Sequence, residues 1–457
     1  MKVAPGTVIA GRFELRSHAA DGGMGAVFLA RDHVTKRDVA LKVLARDGAD
    51  DVIRFEREAS LLATVRHPNV VKYIAHGESA GVYFIAQEWV EGFTLAMQLR
   101  ASGVTAREAV ALATGVADAL GAAHAVGVVH RDVKPSNIIL DANDLAQPRL
   151  VDFGVARMTE AAGVLTRTGV LIGTPAYMSP EQCRGQTFID AAADVWALGC
   201  VLFEALTGRN PFFGASATAI RAKVLLGTPP PLEQLCAEVN DDLIALLGVL
   251  LAKHPGERPA NGTAAAAQLR ALKPVHDGPR RKTGHAAGPQ GQLAVATTAR
   301  TPMADAQNVN AYVFVTPHGT DPVPDEGKKL AAIAGNLGLH VDVLEDGTAL
   351  LTSHAPGKAG ALAAARAAMQ IRDEVWEDAA VTVFGRAYQD DVTDAIDRGA
   401  ALLEQSNMES VFGDVVDDVS SVIRIDDVIA ELIADEVQID RGANGATIIG
   451  LVPPRTR

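Results

Sequence analysis

The sequence is poor in cysteine and lacks any long apolar run. Its three cysteines, Cys183, Cys200 and Cys236, are widely spaced, which excludes a disulfide framework and a cysteine-based metal site and suits a reducing compartment. The longest apolar stretch, residues 243–252, is far shorter than the ~20 residues that span a bilayer, so we predict a buried helix there. The N-terminus has no apolar core of the secretory type. We therefore expect a cytoplasmic protein with no membrane partner.

Negative charge is concentrated in the C-terminal third of the chain. The 457 residues carry a formal net charge of −13. Residues 305–457 contain 26 acidic and 11 basic side chains, a net charge of −15, which leaves +2 on the other residues. An acidic surface repels phosphate backbones, so we expect no nucleic-acid partner. An ordinary solvated acidic surface is the simpler interpretation of this charge.

A segment of linker composition divides the chain. Residues 273–307 are rich in Pro, Gly, Thr and Ala and have no clear hydrophobic period. We predict a first domain over residues 10–272, a flexible linker over 273–307 and a second domain over 308–452. The hydrophobic fraction of 48% is sufficient for real cores in both domains. The chain stops at "PPRTR", as a linker would, so a longer protein is also compatible with the sequence.

The hydrophobic patterns of the two domains differ. The first begins with strand-like runs ("RFELRSHA", "AVFLARD", "DVALKVL" and "VYFIAQEW"), has a helix-like run "DDVIRFEREASLLATVR" among them, and turns helical after Gly92. This predicts a small β lobe followed by a larger α lobe. The second alternates, with helices over 325–337, 358–376 and 392–405 between seven strand-like runs. Alternation of this kind predicts an α/β sandwich with helices on one face.

The first polar features of the first domain are a glycine turn and a strand lysine. Gly22, Gly23 and Gly25 lie between two strand-like runs, where glycine lets backbone N–H groups approach a phosphate. A simple hairpin turn explains them equally well. Lys42 ends the run "VALK" and needs a charged partner if it is buried, and Glu58 is a suitable one. Taken alone, Lys42 could equally be an unpaired surface lysine.

Two more polar features follow along the chain. The stretch "VVHRDVKPSNIIL" places Arg131, Asp132, Lys134 and Asn137 in one loop between apolar runs. The run "LVDFGVAR" then places Asp152 in a small apolar frame. An Asp and an Asn can hold Mg²⁺ through oxygen ligands. Each feature alone also has a plain structural explanation as a charged loop or turn.

Taken together and in order, the glycine turn, strand lysine, HRD loop and DFG turn form a specific signature. With "GTPAYMSPEQ", "DVWALGCVLFEALTG" and "HPGERPA" further along, residues 11–272 resemble the eukaryotic-like Ser/Thr protein kinases of bacteria. The resemblance implies a two-lobed, α+β protein kinase fold. It also implies an enzyme that uses ATP and Mg²⁺ to phosphorylate Ser/Thr hydroxyls of protein substrates in bacterial signalling.

The resemblance assigns roles to the charged residues. Asp132 would accept the proton of the substrate hydroxyl, and Lys134 would neutralise charge on the transferring phosphoryl group. Asn137 and Asp152 would hold Mg²⁺. Lys42, fixed by Glu58, would contact the ATP phosphates. The residues assigned to ATP binding are Gly22, Gly23, Gly25, Val27, Ala40, Lys42, Glu88 and Val90.

The resemblance also predicts how the activity of the enzyme is switched on. Arg131 beside the proposed base goes with activation by loop phosphorylation, for which Thr166 and Thr168 are the candidates. A loop without modification is the alternative.

The sequence departs from the family at three positions. Ala20 stands at the first glycine of the phosphate loop, Gln87 precedes the hinge, and Ser179 replaces Ala in the A-P-E motif. We further predict that Glu181 pairs with Arg258 in a structural role.

The second domain resembles, more weakly, the class III nucleotide cyclases, whose ferredoxin-like fold is an α/β sandwich. The resemblance rests on "AYVFVTPHGTD", "HVDVLEDGTALLTS" and "AVTVFGRAYQ", among other runs. The family's first metal Asp falls on Thr316, although the second is kept as Asp346. The Asn and Arg for its transition state fall on Asp397 and Ala401, so the site lacks the groups that clamp a triphosphate. We expect a non-catalytic regulatory domain, with a homodimer through it as one use and an α/β spacer as the alternative.

Three functions remain in comparison at this point. An active Ser/Thr kinase is favoured, because Lys42, Glu58, Asp132, Asn137 and Asp152 are all present. A pseudokinase scaffold or a ligand-sensing module is the alternative from another class. A nucleotide cyclase is disfavoured by the substitutions in the second domain. Phosphate transfer from labelled ATP separates the first function from the others.

Overall fold

The computed structural model describes residues 4–22, 25–44, 59–153, 175–283, 309–317, 326–344, 346–376, 379–386, 391–412, 422–442 and 445–452. By its internal packing the chain forms two compact units. Unit 1 comprises Met1–Gln182, Gln186–Pro211 and Pro229–Ala287, and unit 2 comprises Cys183–Gly185, Phe212–Thr228 and Gly288–Arg457. The domain boundaries given above remain predictions. No helix within the described ranges is both long and apolar enough to cross a bilayer.

Unit 1 begins with a six-stranded antiparallel sheet in the order β1-β2-β3-β4-β6-β5. Its strands are β1 (Val8–Ile9), β2 (Phe13–Gly22), β3 (Gly25–Asp32), β4 (Asp38–Leu44), β5 (Tyr73–Ser79) and β6 (Val82–Glu88). The four predicted runs are strands, and β1 and β5 were not predicted. Alternate residues of β3 and β4, such as Phe28, Val39 and Leu41, are buried in one core with Phe13 and Phe84. The opposite face of these strands is only half-buried, which leaves it for a site.

Among its described residues, the rest of unit 1 is mainly helical and contains a small hairpin. Its helices are α1 (Leu95–Ala101), α2 (Ala106–His124), α4 (Ala192–Thr207), α6 (Leu232–Leu235), α7 (Asp241–Leu250) and α8 (Gly262–Ala271), and α3 (Pro180–Cys183) ends at the boundary with unit 2. The hairpin pairs β7 (Ile138–Leu140) with β8 (Pro148–Leu150). A capping box between Thr105 and Glu108 begins α2. The buried helix predicted over 243–252 is confirmed as α7, which buries four leucines.

Unit 2 contains a seven-stranded sheet in the order β10-β11-β9-β12-β13-β15-β14. Its strands are β9 (Asn310–Thr316), β10 (Leu339–Val343), β11 (Ala349–Ser353), β12 (Ala380–Arg386), β13 (Ile423–Ile425), β14 (Val437–Gly442) and β15 (Gly445–Leu451). Its helices are α5 (Ala217–Leu226), α9 (Glu326–Asn336), α10 (Gly357–Glu374), α11 (Val392–Phe412) and α12 (Asp427–Ile433). Every predicted strand and helix of this region is present, and α12 was not predicted.

Helices cover both faces of the sheet in unit 2. Helices α9, α10 and α12 share a core with one set of alternate strand residues, including Val313 and Val383. Helix α11 packs on the other set, where Gly399 lies against the ring of Phe384. The prediction of helices on one face is therefore wrong. The neighbouring positions 383 and 384 are both fully buried, a pattern that a sheet covered on both sides produces.

Candidate active site

The half-buried face of β3 and β4 carries the predicted nucleotide residues of the first lobe. Val27 lies directly opposite Lys42 across the β3–β4 pair, and Ala40 is two residues before Lys42 on the same strand. Because opposite partners and i, i+2 residues share a face, these three side chains lie together. Their positions are half-buried, whereas their neighbours Leu41 and Val43 are in the core. The alternation of these strands therefore turns the predicted residues toward one surface.

Gly25 is required by the sheet itself. It pairs with Gly22 at the end of the β2–β3 ladder and has a φ of 150°. A Cβ at this position would lie 1.9 Å from the carbonyl oxygen of Val43. The close approach of β3 to β4 thus demands glycine independently of any phosphate. Gly23 lies outside the described residues.

Lys42 reaches the second lobe through Asp152. Its Nζ lies 2.8 Å from Asp152 Oδ1, with the two side chains 20% and 35% exposed. Asp152 has a φ of 60°, the left-handed region that costs free energy for a residue with a side chain. The predicted partner Glu58 lies outside the described residues. The ion pair that the structure describes for Lys42 is therefore the one with Asp152.

The hairpin β7–β8 brings Asn137 and Asp152 to one place. Asn137 directly precedes β7, and Asp152 follows β8 with one residue, Val151, between them. Ile138 pairs with Leu150, and the N–H of Val151 donates to the carbonyl oxygen of Asn137 at 3.0 Å. Residues separated by 15 positions in the sequence are thus held at the same end of a small sheet.

Asp132 lies among polar side chains on the loop before this hairpin. The amide Nδ2 of Asn137 donates to the backbone oxygen of Asp132 at 2.8 Å and to its Oδ2 at 3.1 Å. The ammonium of Lys134 lies 2.9 Å from the same Oδ2. Asp132 and Lys134 are each about one-fifth exposed, so the carboxylate can still be reached from solvent. The three predicted residues of the loop therefore meet at one carboxylate.

Asn137 and Asp152 have the donor chemistry that Mg²⁺ requires. Because both hydrogen bonds of the Asn137 side chain to Asp132 use its nitrogen, the carboxamide oxygen is left as the ligand atom. That oxygen and the Asp152 carboxylate are hard oxygen ligands. Within the described ranges no group of three or more His, Cys, Asp or Glu side chains suits a metal ion. Two protein ligands fit an ion that shares its coordination with phosphates and water.

Asp194 was missed by the sequence reasoning, although it opens a quoted motif. Its buried carboxylate accepts the N–H groups of His130 and Arg131, each at 2.7 Å. Its Oδ2 also lies 2.9 Å from Nε2 of His124, whose Nδ1 accepts from the N–H of Gly262. Arg131 has a φ of 64°, so the carboxylate holds a strained peptide in place. No local signal at Asp194 identifies the loop that it anchors.

His130 is buried and neutral. The N–H of Asp132 donates to its Nδ1 at 3.2 Å, so the ring hydrogen is on Nε2, which donates to the carbonyl oxygen of Val151. Burial lowers the pKa of His130, against the opposing effect of Asp194. Its ring lies 4.6 Å from the ring of Phe153, centroid to centroid. His130 therefore joins the loop of Asp132 to the segment that carries Asp152.

A small pocket lies behind Lys42. It is lined by Lys42, Leu44, Leu62, Ile85, Gln87, Asp152 and Phe153. Gln87, which precedes the hinge, is thus one of the polar residues that line this pocket. The next residue, Glu88, ends β6, accepts the N–H of Lys72 at 2.8 Å and forms an ion pair with Arg149. Val90 follows in the half-buried segment that leaves the sheet.

The predicted pair of Glu181 and Arg258 is confirmed. The guanidinium donates to both carboxylate oxygens, at 2.7 and 2.9 Å, and both side chains are buried. Arg258 also donates to three backbone carbonyl oxygens, of Ala192, Ala252 and Lys253. A buried bidentate pair with its remaining donors satisfied is a structural brace. The predicted phosphorylation sites Thr166 and Thr168 lie outside the described residues.

Part of the chain is similar in sequence to a known family and to curated proteins. Residues 13–270 match the family described as Protein kinase domain. The chain is 38% identical over 277 residues to the serine/threonine-protein kinase PknB of Mycolicibacterium smegmatis, covering 58% of this chain and 43% of that protein. It is 37% identical over 257 residues to the serine/threonine-protein kinase PrkC of Bacillus subtilis, covering 55% and 39%. The kinase domain of Mycobacterium tuberculosis PknI aligns at 26% identity over 59% of this chain and 99% of that one, with a TM-score of 0.48.

The family match covers more than half of this chain, while the chain spans less than half the length of these curated relatives. Residues 13–270 contain the two-lobed arrangement, the ion pair of Lys42 and the loop of Asp132 described above. The family match ends before the region that begins at residue 288. The chain therefore belongs to the protein kinase family, and its relatives in that family are bacterial serine/threonine protein kinases.

Proposed function

We propose that this protein is an ATP- and Mg²⁺-dependent serine/threonine protein kinase that phosphorylates protein substrates in bacterial signalling. The observation that carries the proposal is the cluster at one end of the β7–β8 hairpin. There Lys42 meets Asp152, and Asp132 meets Lys134 and Asn137. These are the residue types that phosphoryl transfer uses for positioning and for stabilising charge.

Each residue has a task that its contacts support. Asp132 accepts the proton of the substrate hydroxyl, because it keeps a partly exposed carboxylate next to solvent. Lys134, already beside that carboxylate, neutralises charge on the phosphoryl group in transfer. Lys42 binds the nucleotide phosphates from the sheet, with Glu58 as its proposed further partner. Asp194 positions the loop without touching the substrate.

Asn137 and Asp152 would hold Mg²⁺, and the face of Val27, Ala40 and Lys42 would receive ATP. The remaining proposed contacts to ATP are Gly22, Gly23, Gly25, Glu88 and Val90. When bound, the metal neutralises charge on the phosphate oxygens and orients the terminal phosphoryl group. The protein contributes a fixed carboxamide oxygen at Asn137, since the nitrogen of that side chain is held by Asp132.

We also propose that phosphorylation of Thr166 or Thr168 activates the enzyme. Arg131, directly before the proposed base, would be the cation that such a phosphate contacts. The C-terminal region is proposed to be a non-catalytic, cyclase-like regulatory domain that pairs two chains. Thr316 and Ala401 in place of a metal ligand and an arginine support the absence of catalysis. A cytoplasmic location remains a prediction from the sequence.

Labelled phosphate transfer tests the proposed activity. The full chain with Mg²⁺ and γ-³²P-ATP should label itself or a general acceptor such as casein on serine and threonine. Asp132→Asn should reduce transfer by a factor of about 100 or more while nucleotide affinity stays within about threefold, because the base contacts the hydroxyl and not the nucleotide. Asp144→Asn, a change of the same kind at an exposed turn of the same lobe, should transfer at the wild-type rate.

The result separates the proposal from its alternative. Nucleotide binding by the wild-type chain without any transfer would indicate a pseudokinase scaffold. Equal transfer by wild type and Asp132→Asn would mean that another group accepts the proton. Light scattering of the full chain in low and high salt tests pairing separately, since salt screens the repulsion between acidic domains. A monomer at both salt concentrations would contradict the proposed pairing.

A further inference from the structure

Helix α5 in unit 2 carries two buried cations. The side chains of Arg221 and Lys223 are only 2% and 4% exposed. Arg221 Nη1 lies 2.5 Å from Asp346 Oδ2, and Lys223 Nζ lies 2.7 Å from Asp397 Oδ2. Lys223 also donates to a backbone carbonyl oxygen, that of Phe213. Both cations are thus balanced by carboxylates from the acidic C-terminal region.

A third ion pair in unit 2 also joins a cation of residues 183–228 to a carboxylate of the C-terminal region. Arg184 Nε lies 2.6 Å from Asp342 Oδ1, and that carboxylate is 7% exposed. We call Arg184, Arg221 and Lys223 the basic patch, and Asp342, Asp346 and Asp397 the acidic face. The basic patch lies in residues 183–228, inside the region that matches the kinase family. The acidic face lies in residues 305–457, whose net charge is −15.

The contact between the basic patch and the acidic face consists of ion pairs, and two of its polar atoms have no hydrogen-bond partner among the described residues. Nε of Arg221 and Oδ1 of Asp397 are buried and have no hydrogen-bond partner among the residues that the structure describes. Each such atom costs free energy that a fully satisfied contact would not. A buried cation needs an anionic partner, so we expect the basic patch to bind a carboxylate of this chain or of another protein. A competing acidic segment that also satisfies Nε of Arg221 would gain a hydrogen bond that the present contact lacks.

Asp346 and Asp397 each direct one carboxylate oxygen to a cation of α5. Asp346 Oδ1 accepts the N–H of Thr348 within its own turn, while Oδ2 faces Arg221. Asp397 lies on α11, the helix that packs against α5. The two carboxylates therefore come from separate elements and converge on one short stretch of helix.

We propose that the basic patch is a docking site for an acidic segment of a protein partner, and that the acidic face occupies this site from within the chain. The docked acidic face excludes a competing acidic segment by mass action, and a competitor must displace it. The inference extends the proposed function, since a site of this kind selects the proteins that a kinase contacts. Its test needs neither ATP nor phosphate transfer, so the two proposals can fail separately.

A charge-neutral variant of the acidic face tests the docking site. In the full chain, Asp346→Asn with Asp397→Asn removes two carboxylates and keeps their shape. Asp394→Asn with Asp440→Asn makes the same change in charge at exposed positions and is the matched control. The probe is a fluorescein-labelled peptide of eight aspartates, followed by fluorescence anisotropy. We expect at least about tenfold tighter binding by the first variant than by wild type or the control, because the acidic face no longer offers the two carboxylates that compete for Arg221 and Lys223.

Hydrogen exchange of residues 217–226 gives a second measurement. Their amides should exchange faster in the variant of the acidic face than in the control. A pair of charge swaps guards against simple misfolding: Lys223→Asp or Asp397→Lys alone should lose protection, and the two together should restore it. The proposal is overturned if the peptide binds wild type, variant and control equally. It is also overturned if the combined swap remains as unprotected as each single change.

Discussion

Asp194→Asn is the sharpest test of how the site is held together. The change is isosteric and lies away from the surface that receives the substrate, since the carboxylate is fully buried. In the wild type, Oδ1 accepts the N–H of Arg131, and Oδ2 accepts from His130 and His124. Asparagine has one oxygen for these three donors. Its best orientation keeps two of them and turns an NH₂ group toward the third.

The magnitude follows from that loss. One hydrogen bond to a charged acceptor contributes about 1.5–3 kcal/mol, and the two that remain become weaker neutral bonds. Burying a neutral amide in place of a carboxylate offsets part of this loss. We therefore expect the free energy of unfolding to fall by about 2–4 kcal/mol. For a unit of this size the melting temperature should fall by about 5–15 °C.

Activity should fall further than stability alone explains. The peptide of Arg131 is strained and directly precedes Asp132, so its release displaces the proposed base. A displacement of about 1 Å costs about 100-fold in rate, which should appear in kcat at temperatures where the variant is folded. Calorimetry and labelled phosphate transfer measure the two effects.

The control is Asp118→Asn, which breaks a partly exposed ion pair with Arg270 in the same lobe. An exposed pair of this kind contributes about 0–1 kcal/mol, so that variant should melt close to wild type and stay active. The reasoning is refuted if Asp194→Asn melts as the control does and transfers phosphate at the wild-type rate.

Three further changes probe single features. Glu181→Ala leaves the guanidinium of Arg258 buried without its carboxylate, which should lower the free energy of urea unfolding by about 3–5 kcal/mol; an unchanged midpoint would mean that the pair is dispensable. Gly25→Ala places a methyl group against the carbonyl of Val43 and should lower the free energy of unfolding by about 1–3 kcal/mol in the same assay. Unchanged stability would mean that the sheet does not require this glycine. Burial raises the pKa of Asp426 to about 6. The preference of the folded state for the protonated carboxyl therefore adds fully to the free energy of unfolding below the ordinary pKa of 3.8. This contribution is lost as the pH rises through about 6. Wild type should lose about 2–3 kcal/mol relative to Asp426→Asn between pH 4 and 7.5, and parallel pH curves would contradict this.

Local patterns predicted the elements of both units well. Strands such as β3 and β4 alternate core and surface residues, and a period of two is visible in any single stretch of sequence. The order of the glycine turn, Lys42, Asp132 and Asp152 along the chain is enough to indicate the kinase family. Each strand and each motif is encoded within a short window, and the order of the motifs is a property of the linear chain.

Long-range pairing was recoverable only where a family pattern supplied it. The pair of Glu181 and Arg258 was predicted from the resemblance, and the structure confirms it. Element α12 and the second covered face of the sheet were not predicted. A short helix of seven residues has too few turns for a clear period, and a strand buried on both sides loses its alternation.

Only the tertiary structure revealed the roles of Asp194, Asp346 and Asp397. In the sequence Asp194 is one acidic residue among 55, and Asp346 and Asp397 stood out only as positions of the cyclase pattern. Asp194 anchors a loop about 63 residues before it, and Asp397 meets a lysine 174 residues away. Whether a carboxylate is a solvated surface charge or a buried anchor depends on which cations and N–H groups the packed elements bring to it. That arrangement is a property of the folded chain, and no short window of sequence contains it.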